Sequence, residues 1–140
     1  MRNVLVLLVA LVCFAAVEGV DLEVEIRDER RLNCPVYLAV YRDPRSWLGE
    51  KPFRYERGEM KAGLGRVVVS KLLDGKYAIL AYCDKNANGK LDENLLGVPK
   101  EPYGFSNGKA GKYELSFAEA AFEVSGTGAG RKQEIVLVLP

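Results

Sequence analysis

The residues best equipped for chemistry lie in one short stretch, Asp84-Lys-Asn86-Ala-Asn88-Gly89-Lys90-Leu91-Asp92. The pattern D-x-N-x-N-G-x-L-D matches the opening positions of an EF-hand-type calcium loop. Hard calcium takes oxygen donors, and side chains at alternate positions of a tight loop converge on one point. Asp84, Asn86 and Asn88 are the expected side-chain ligands, Lys90 the expected carbonyl ligand, and Asp92 a ligand directly or through water. Gly89 permits the sharp turn, and Leu91 is expected to pack back onto the domain. Where such a loop carries its bidentate glutamate at position 12, this chain has Leu95. Glu93, Asn94, Glu101 or water are left to complete the shell. With so few charged donors the expected affinity is weak, on the order of 10⁻⁴ to 10⁻³ M. The alternative is a metal-free turn, because Asn and Asp bond their own backbone and tolerate left-handed conformations. Strands flank the loop, so a sensor-type conformational switch is not expected.

Other chemistry is largely excluded. The chain has no histidine, which removes the usual zinc sites and every Ser-His or Cys-His nucleophile arrangement. A net charge of +1 gives no field for nucleic acid. Asp92, Glu93 and Glu101 could serve a carboxylate-based hydrolase, but carboxylates around a calcium loop are more simply ligands. Trp47, Phe53 and Tyr55 fall in a long loop from Arg42 to Gly63 and could stack on a sugar or contact a protein, with core cover as the alternative. Tyr103 and Phe105 are expected to plug one end of the core.

The elements that position these residues alternate in hydrophobicity with a period of two. Strands are expected at Leu22–Ile26, Val36–Tyr41, Gly65–Leu73, Lys76–Cys83, Tyr113–Phe117, Ala121–Val124 and Glu134–Leu139. Asp74-Gly75 reads as the turn of a hairpin between the third and fourth. The last, almost wholly apolar, reads as a central or well-covered strand. Ser116–Ala121 could form a single helical turn, too short to be stable alone. About seven short strands in a chain of this size indicate an all-β sandwich in one domain. Cys34 shares its strand face with Val36, Leu38 and Val40, and Cys83 shares its face with Tyr77, Ile79 and Ala81. If both faces look inward on neighbouring strands the sulfurs can meet. The alternative is two unpaired buried thiols.

The N-terminus bears on compartment. Arg2 precedes an apolar run from Val4 to Val17, too short to span a bilayer comfortably and suited to the core of a signal peptide. Cleavage after Gly19 is expected, leaving residues 20–140 as the mature domain in the periplasm or the medium, where disulfides form. Val12 before Cys13 argues against lipid attachment there.

The stretch Leu73-Asp-Gly-Lys-Tyr-Ala-Ile-Leu-Ala-Tyr-Cys-Asp-Lys-Asn-Ala-Asn-Gly-Lys-Leu-Asp92, with Gly97-Val-Pro99, Glu101 and Tyr103-Gly-Phe-Ser-Asn107, resembles the bacterial secreted proteins grouped as domain of unknown function 2141. Phe117, Ala121-Phe122 and the terminal apolar strand extend the likeness over about Leu22 to Leu139. The resemblance implies a compact antiparallel sandwich of Ig-like or transthyretin-like character, exported and without assigned activity. The family commonly has histidine before the loop aspartate, where this chain has Cys83, so the Cys34–Cys83 pairing would be particular to this protein. The function expected is a non-catalytic binding or structural module, stabilised by calcium. It would be monomeric and not membrane-spanning, with an unidentified protein or a cell-envelope glycan as partner. Carbohydrate or peptidoglycan binding through the loop aromatics is the alternative.

Overall fold

The structure, a computed structural model, describes residues 19–108, 114–126 and 132–137. The expected signal peptide lies outside the described residues apart from Gly19. The elements in chain order are β1 (Val20–Arg27), β2 (Cys34–Tyr41), β3 (Arg54–Lys61), β4 (Leu64–Leu72), β5 (Gly75–Cys83), β6 (Tyr103–Phe105), α1 (Phe117–Ala120), β7 (Phe122–Val124) and β8 (Lys132–Val136). The strands form one sheet in the order β6-β5-β2-β3-β4-β1-β8, with β7 added to β5. Every pairing is antiparallel except that of β1 with β8. The all-β expectation holds. The eight strands curl into a nearly closed, barrel-like sheet whose ends, β6 and β8, lie against each other. Gly104 makes that seam possible, since a Cβ there would stand 2.3 Å from the carbonyl oxygen of Val136.

Period-two burial explains the interior. Leu22, Val24 and Ile26 of β1, Val36, Leu38 and Val40 of β2, and Tyr77, Ile79 and Ala81 of β5 point inward and are fully buried. The opposite faces of β2 and β5 are buried as well. Ala39, Tyr41, Ala78, Leu80 and Tyr82 pack outside the sheet under Leu115, Phe117 and Ala120, forming a second apolar cluster with Tyr103 and Phe105. The Cys34 and Cys83 sulfurs are bonded, joining the first residue of β2 to the last of β5. The inward-facing geometry read from the sequence is therefore realised.

Four expectations change. Asp74-Gly75 does not close a hairpin: β4 pairs with β1 and β3, whereas β5 pairs with β2, β6 and β7. Because β5 is apolar on both faces it takes a covered position beside β2, and the chain crosses the end of the barrel to reach it. Within the expected loop from Arg42 to Gly63 lies β3, paired with β2 from Met60 to Arg54. Its sequence hid it, because Met60 is its one fully buried side chain and backbone pairing rather than apolar alternation holds it. In the expected strand Tyr113–Phe117, Tyr113 lies outside the described residues, Glu114–Ser116 are not strand, and Phe117 opens α1. A capping box stabilises that turn, with the Ser116 side chain accepting from the Glu119 N–H and the Glu119 carboxylate accepting from the Ser116 N–H. Finally, β8 ends the strand path instead of sitting centrally, although Ile135 and Leu137 are buried.

Candidate functional site

The end of β5 fixes the candidate loop through backbone bonds on two sides. Cys83 donates its N–H to Pro102 O at 2.8 Å, and Asp84 donates to Pro35 O at 2.9 Å. Asp84 is fully buried. Its Oδ1 accepts from the Asn88 N–H at 3.2 Å and its Oδ2 from the Gly89 N–H at 2.7 Å, so the loop folds around it. Gly89 has φ +77°, and nothing lies within 4 Å of where its Cβ would be. The backbone conformation, not crowding, calls for glycine.

Above this base three side chains converge. Asn86 Nδ2 donates to Asp92 Oδ2 at 2.6 Å, and Asn88 Nδ2 reaches both Asp92 oxygens at 3.0 and 2.9 Å. These bonds, that from Asn86 first, hold the Asp92 carboxyl below its ordinary range, with Lys100 and Lys90 adding to the effect. The Lys90 N–H donates to Asn88 Oδ1 at 2.9 Å. Tyr82 spans the loop from inside, its hydroxyl donating to Gly89 O at 3.2 Å. Burial is the main cause that pushes the Tyr82 phenol upward. Leu91 packs against the outer apolar cluster, as the sequence indicated.

Glu101 is brought beneath the same loop and is almost fully buried. Its Oε1 accepts from the Lys85 N–H at 2.9 Å and its Oε2 from the Asp92 N–H at 3.2 Å. Glu101 thus clamps the two ends of the loop. The distal part, Glu93 to Pro99, forms a narrow turn closed by Asn94 N–H to Val98 O at 2.8 Å. That turn carries Leu95 and Leu96 outward, 105% and 87% exposed, so Leu95 takes no part in the loop.

For calcium, the fit rests on the convergence of Asn86, Asn88 and Asp92. Turning each amide over would set its oxygen where its nitrogen now faces the carboxylate, giving a set of hard oxygen donors at the cost of the bonds that Asn86 Oδ1 and Asn88 Oδ1 now accept from the Asn88 and Lys90 N–H groups. Among the described residues no three of His, Cys, Asp and Glu gather as a metal site, so the amides are indispensable to any such set.

The aromatic residues divide. Trp47 is half-buried, donates Nε1–H to Leu115 O at 2.8 Å, and meets the rings of Tyr41, Phe105 and Phe117 with centroids 5.1, 5.7 and 6.0 Å away. It is a lid on the outer cluster. Phe53 and Tyr55 are exposed, Phe53 beneath the guanidinium of Arg42 at 4.8 Å. The three residues therefore do not assemble into one platform. Tyr103 and Phe105 are buried in the outer cluster, as expected for a plug. A stacked pair that the sequence did not announce, Tyr37 and Tyr82, has centroids 5.5 Å apart. Its members lie directly opposite in the register of β2 and β5, and register was the missing information.

Comparison with known proteins adds a family. The family model described as "Uncharacterized protein conserved in bacteria (DUF2141)" matches residues 24–132. No curated protein and no solved structure matches the chain.

Proposed function

This chain belongs to the DUF2141 family, and from that premise we propose that it is an exported, non-catalytic binding or structural module whose loop from Asp84 to Asp92 takes calcium. The observation that carries the reading is the meeting of Asn86, Asn88 and Asp92 within 2.6 to 3.0 Å above a buried Asp84. Asp84, Asn86, Asn88 and Asp92 supply side-chain oxygens, and Lys90 supplies its carbonyl. Calcium contributes charge neutralisation and cross-linking of the loop, and no reaction is assigned to it. Glu101 serves as the clamp that presets the loop, accepting the backbone N–H groups of Lys85 and Asp92.

Export accords with the apolar leader before Val20 and with the Cys34–Cys83 bond, which persists in oxidising compartments. The periplasm or the medium is the proposed location. An Ig-like or transthyretin-like layering is supported by the narrow join between β3 and β4. They pair only at Met60–Gly65 and Lys61–Leu64. Beyond that join β6-β5-β2-β3 and β4-β1-β8 are read as two facing layers.

Thermal melting with calcium and with chelator tests the metal. At 10 mM calcium a site of the expected weakness stabilises the fold by about 1.5–2.7 kcal/mol, a rise of roughly 5–10 °C in Tm. Asp84→Ala should abolish the rise. Identical curves for the unaltered protein with and without calcium would reduce the loop to an Asx-rich turn.

A further inference from the structure

Beside the loop, the outer apolar cluster is hollowed by a cavity of about 470 Å³. That size falls within the range of small-molecule sites, on the order of 300–1,000 Å³. Leu80 of β5 and Phe105 of β6 line it and are buried. Leu91 contributes from the loop segment, and Leu48 and Leu96 stand at its mouth, 47% and 87% exposed. Leaving two leucines in water at the opening of an apolar hollow forgoes burial that an occupant would restore. The mouth is also preset. Asn94 Oδ1 accepts from the N–H groups of Leu96 and Val98 at 2.8 and 3.0 Å, and Gly97 holds φ +74°. An ordered rim lowers the entropic cost of binding.

Among the described residues the charge lining the cavity has one sign. Glu93 and Glu114 line it, and no lysine or arginine does among the described residues. Neither glutamate has an ion-pair partner among the described residues. Apolar walls beside two carboxylates favour a cation and disfavour an anion of the same shape. We infer that this cavity binds an amphipathic organic cation, its apolar body among Leu80, Leu91 and Phe105 and its amine or guanidine group at the rim charged by Glu93 and Glu114. Calcium in the neighbouring loop is not required, since the loop's hydrogen bonds already hold Leu91 in place.

A fluorescence titration with dansylcadaverine, a naphthalene-bearing primary amine, tests this on the oxidised protein in chelator. 1-Anilinonaphthalene-8-sulfonate serves as the probe of opposite charge. Saturable one-to-one binding of the amine is expected. Glu93→Gln with Glu114→Gln should weaken it roughly fivefold to tenfold, and Leu96→Ser roughly tenfold. All three side chains are exposed, so the variants should melt as the unaltered protein does. Absence of saturable binding would overturn the inference. So would an amine affinity unchanged in every variant, or a sulfonate bound as tightly as the amine. Working in chelator separates the two readings: loss of the calcium effect leaves this site standing, and failure here leaves the calcium reading untouched.

Discussion

The strand body and the segment from Asp84 to Glu101 are ordered by different forces. In the body, Leu22, Val24, Ile26, Val36, Leu38, Val40, Val69 and Ile79 are wholly removed from water, and transfer of apolar surface dominates. Between Lys85 and Lys100 no side chain is fully buried. There the order comes from two buried carboxylates, Asp84 and Glu101, which gather four backbone N–H groups between them. Each such bond nets only about 1–3 kcal/mol against water. A region of that kind opens locally before the body does. It is consequently the part of the molecule whose stability a bound ion can raise, while the body supplies the fixed frame.

The largest test of the contrast acts on the body. The Cys34–Cys83 bond spans a sequence separation of 49, and on the chain-entropy model it stabilises the fold by about 4 kcal/mol. Urea unfolding of the double variant Cys34→Ala/Cys83→Ala should show a loss of that order against the oxidised protein. A loss below about 1 kcal/mol would mean that apolar burial alone secures the body.

Much of this division was legible in the sequence, for reasons that differ by element. β1, β2, β4 and β5 announced themselves because one face of each is apolar at every second residue. The same alternation allows the disulfide without deciding between it and two buried thiols, and the bond between Cys34 and Cys83 in the fold settles that choice. β3 was illegible because Arg54, Glu56 and Gly58 occupy its half-buried positions, leaving Met60 as the lone apolar signal. Asp74-Gly75 marks a turn, but the hairpin it suggests does not form. A turn dipeptide specifies a change of direction, while the pairing partner depends on how each strand's two faces are covered. The D-x-N-x-N-G-x-L-D spacing marks the loop as a unit, and Glu101 enters that reading only as a spare ligand. Its role as a clamp requires knowing that residues 85 and 92 approach the same buried carboxylate. The cavity left no sequence signal, since Leu48, Leu80, Leu96 and Glu114 meet only through the fold.

Glu101→Gln acts on the loop side of the comparison with a smaller effect. An amide keeps one acceptor and turns a donor toward the other backbone N–H, so about 1–3 kcal/mol of local stability should be lost. Hydrogen exchange offers the sharper readout. The amides of Lys85 and Asp92 should exchange faster, while those of β5 paired with β2 keep their protection. Equal acceleration in β5 would show that loop and body open as one cooperative unit, and the contrast would fail.

The smallest effect concerns a charged cluster on the outer side of the body, where burial and ion pairing coexist. Glu25 is almost fully buried beneath Arg27 and Arg66, whose Nε atoms donate to its two carboxylate oxygens at 2.8 and 3.2 Å. Arg27 also lies 3.3 Å from Glu134 of β8, linking the parallel pair at the seam side of the sheet. The hydrogen bond from Arg27, then that from Arg66, holds the Glu25 carboxyl below its usual value of 4.5. A carboxyl depressed in the folded state stabilises that state fully above its unfolded value, and the contribution is lost as the pH falls through the folded one. Melting temperatures of the unaltered protein and Glu25→Gln should therefore differ most near pH 7 and converge as the pH drops from about 4.5 toward 2. High salt should narrow the gap at pH 7 only modestly, because one partner is buried. Convergence already complete at pH 5 would mean that the arginines do not hold the charge. The body's outer face would then owe its order to apolar packing alone, as its interior does.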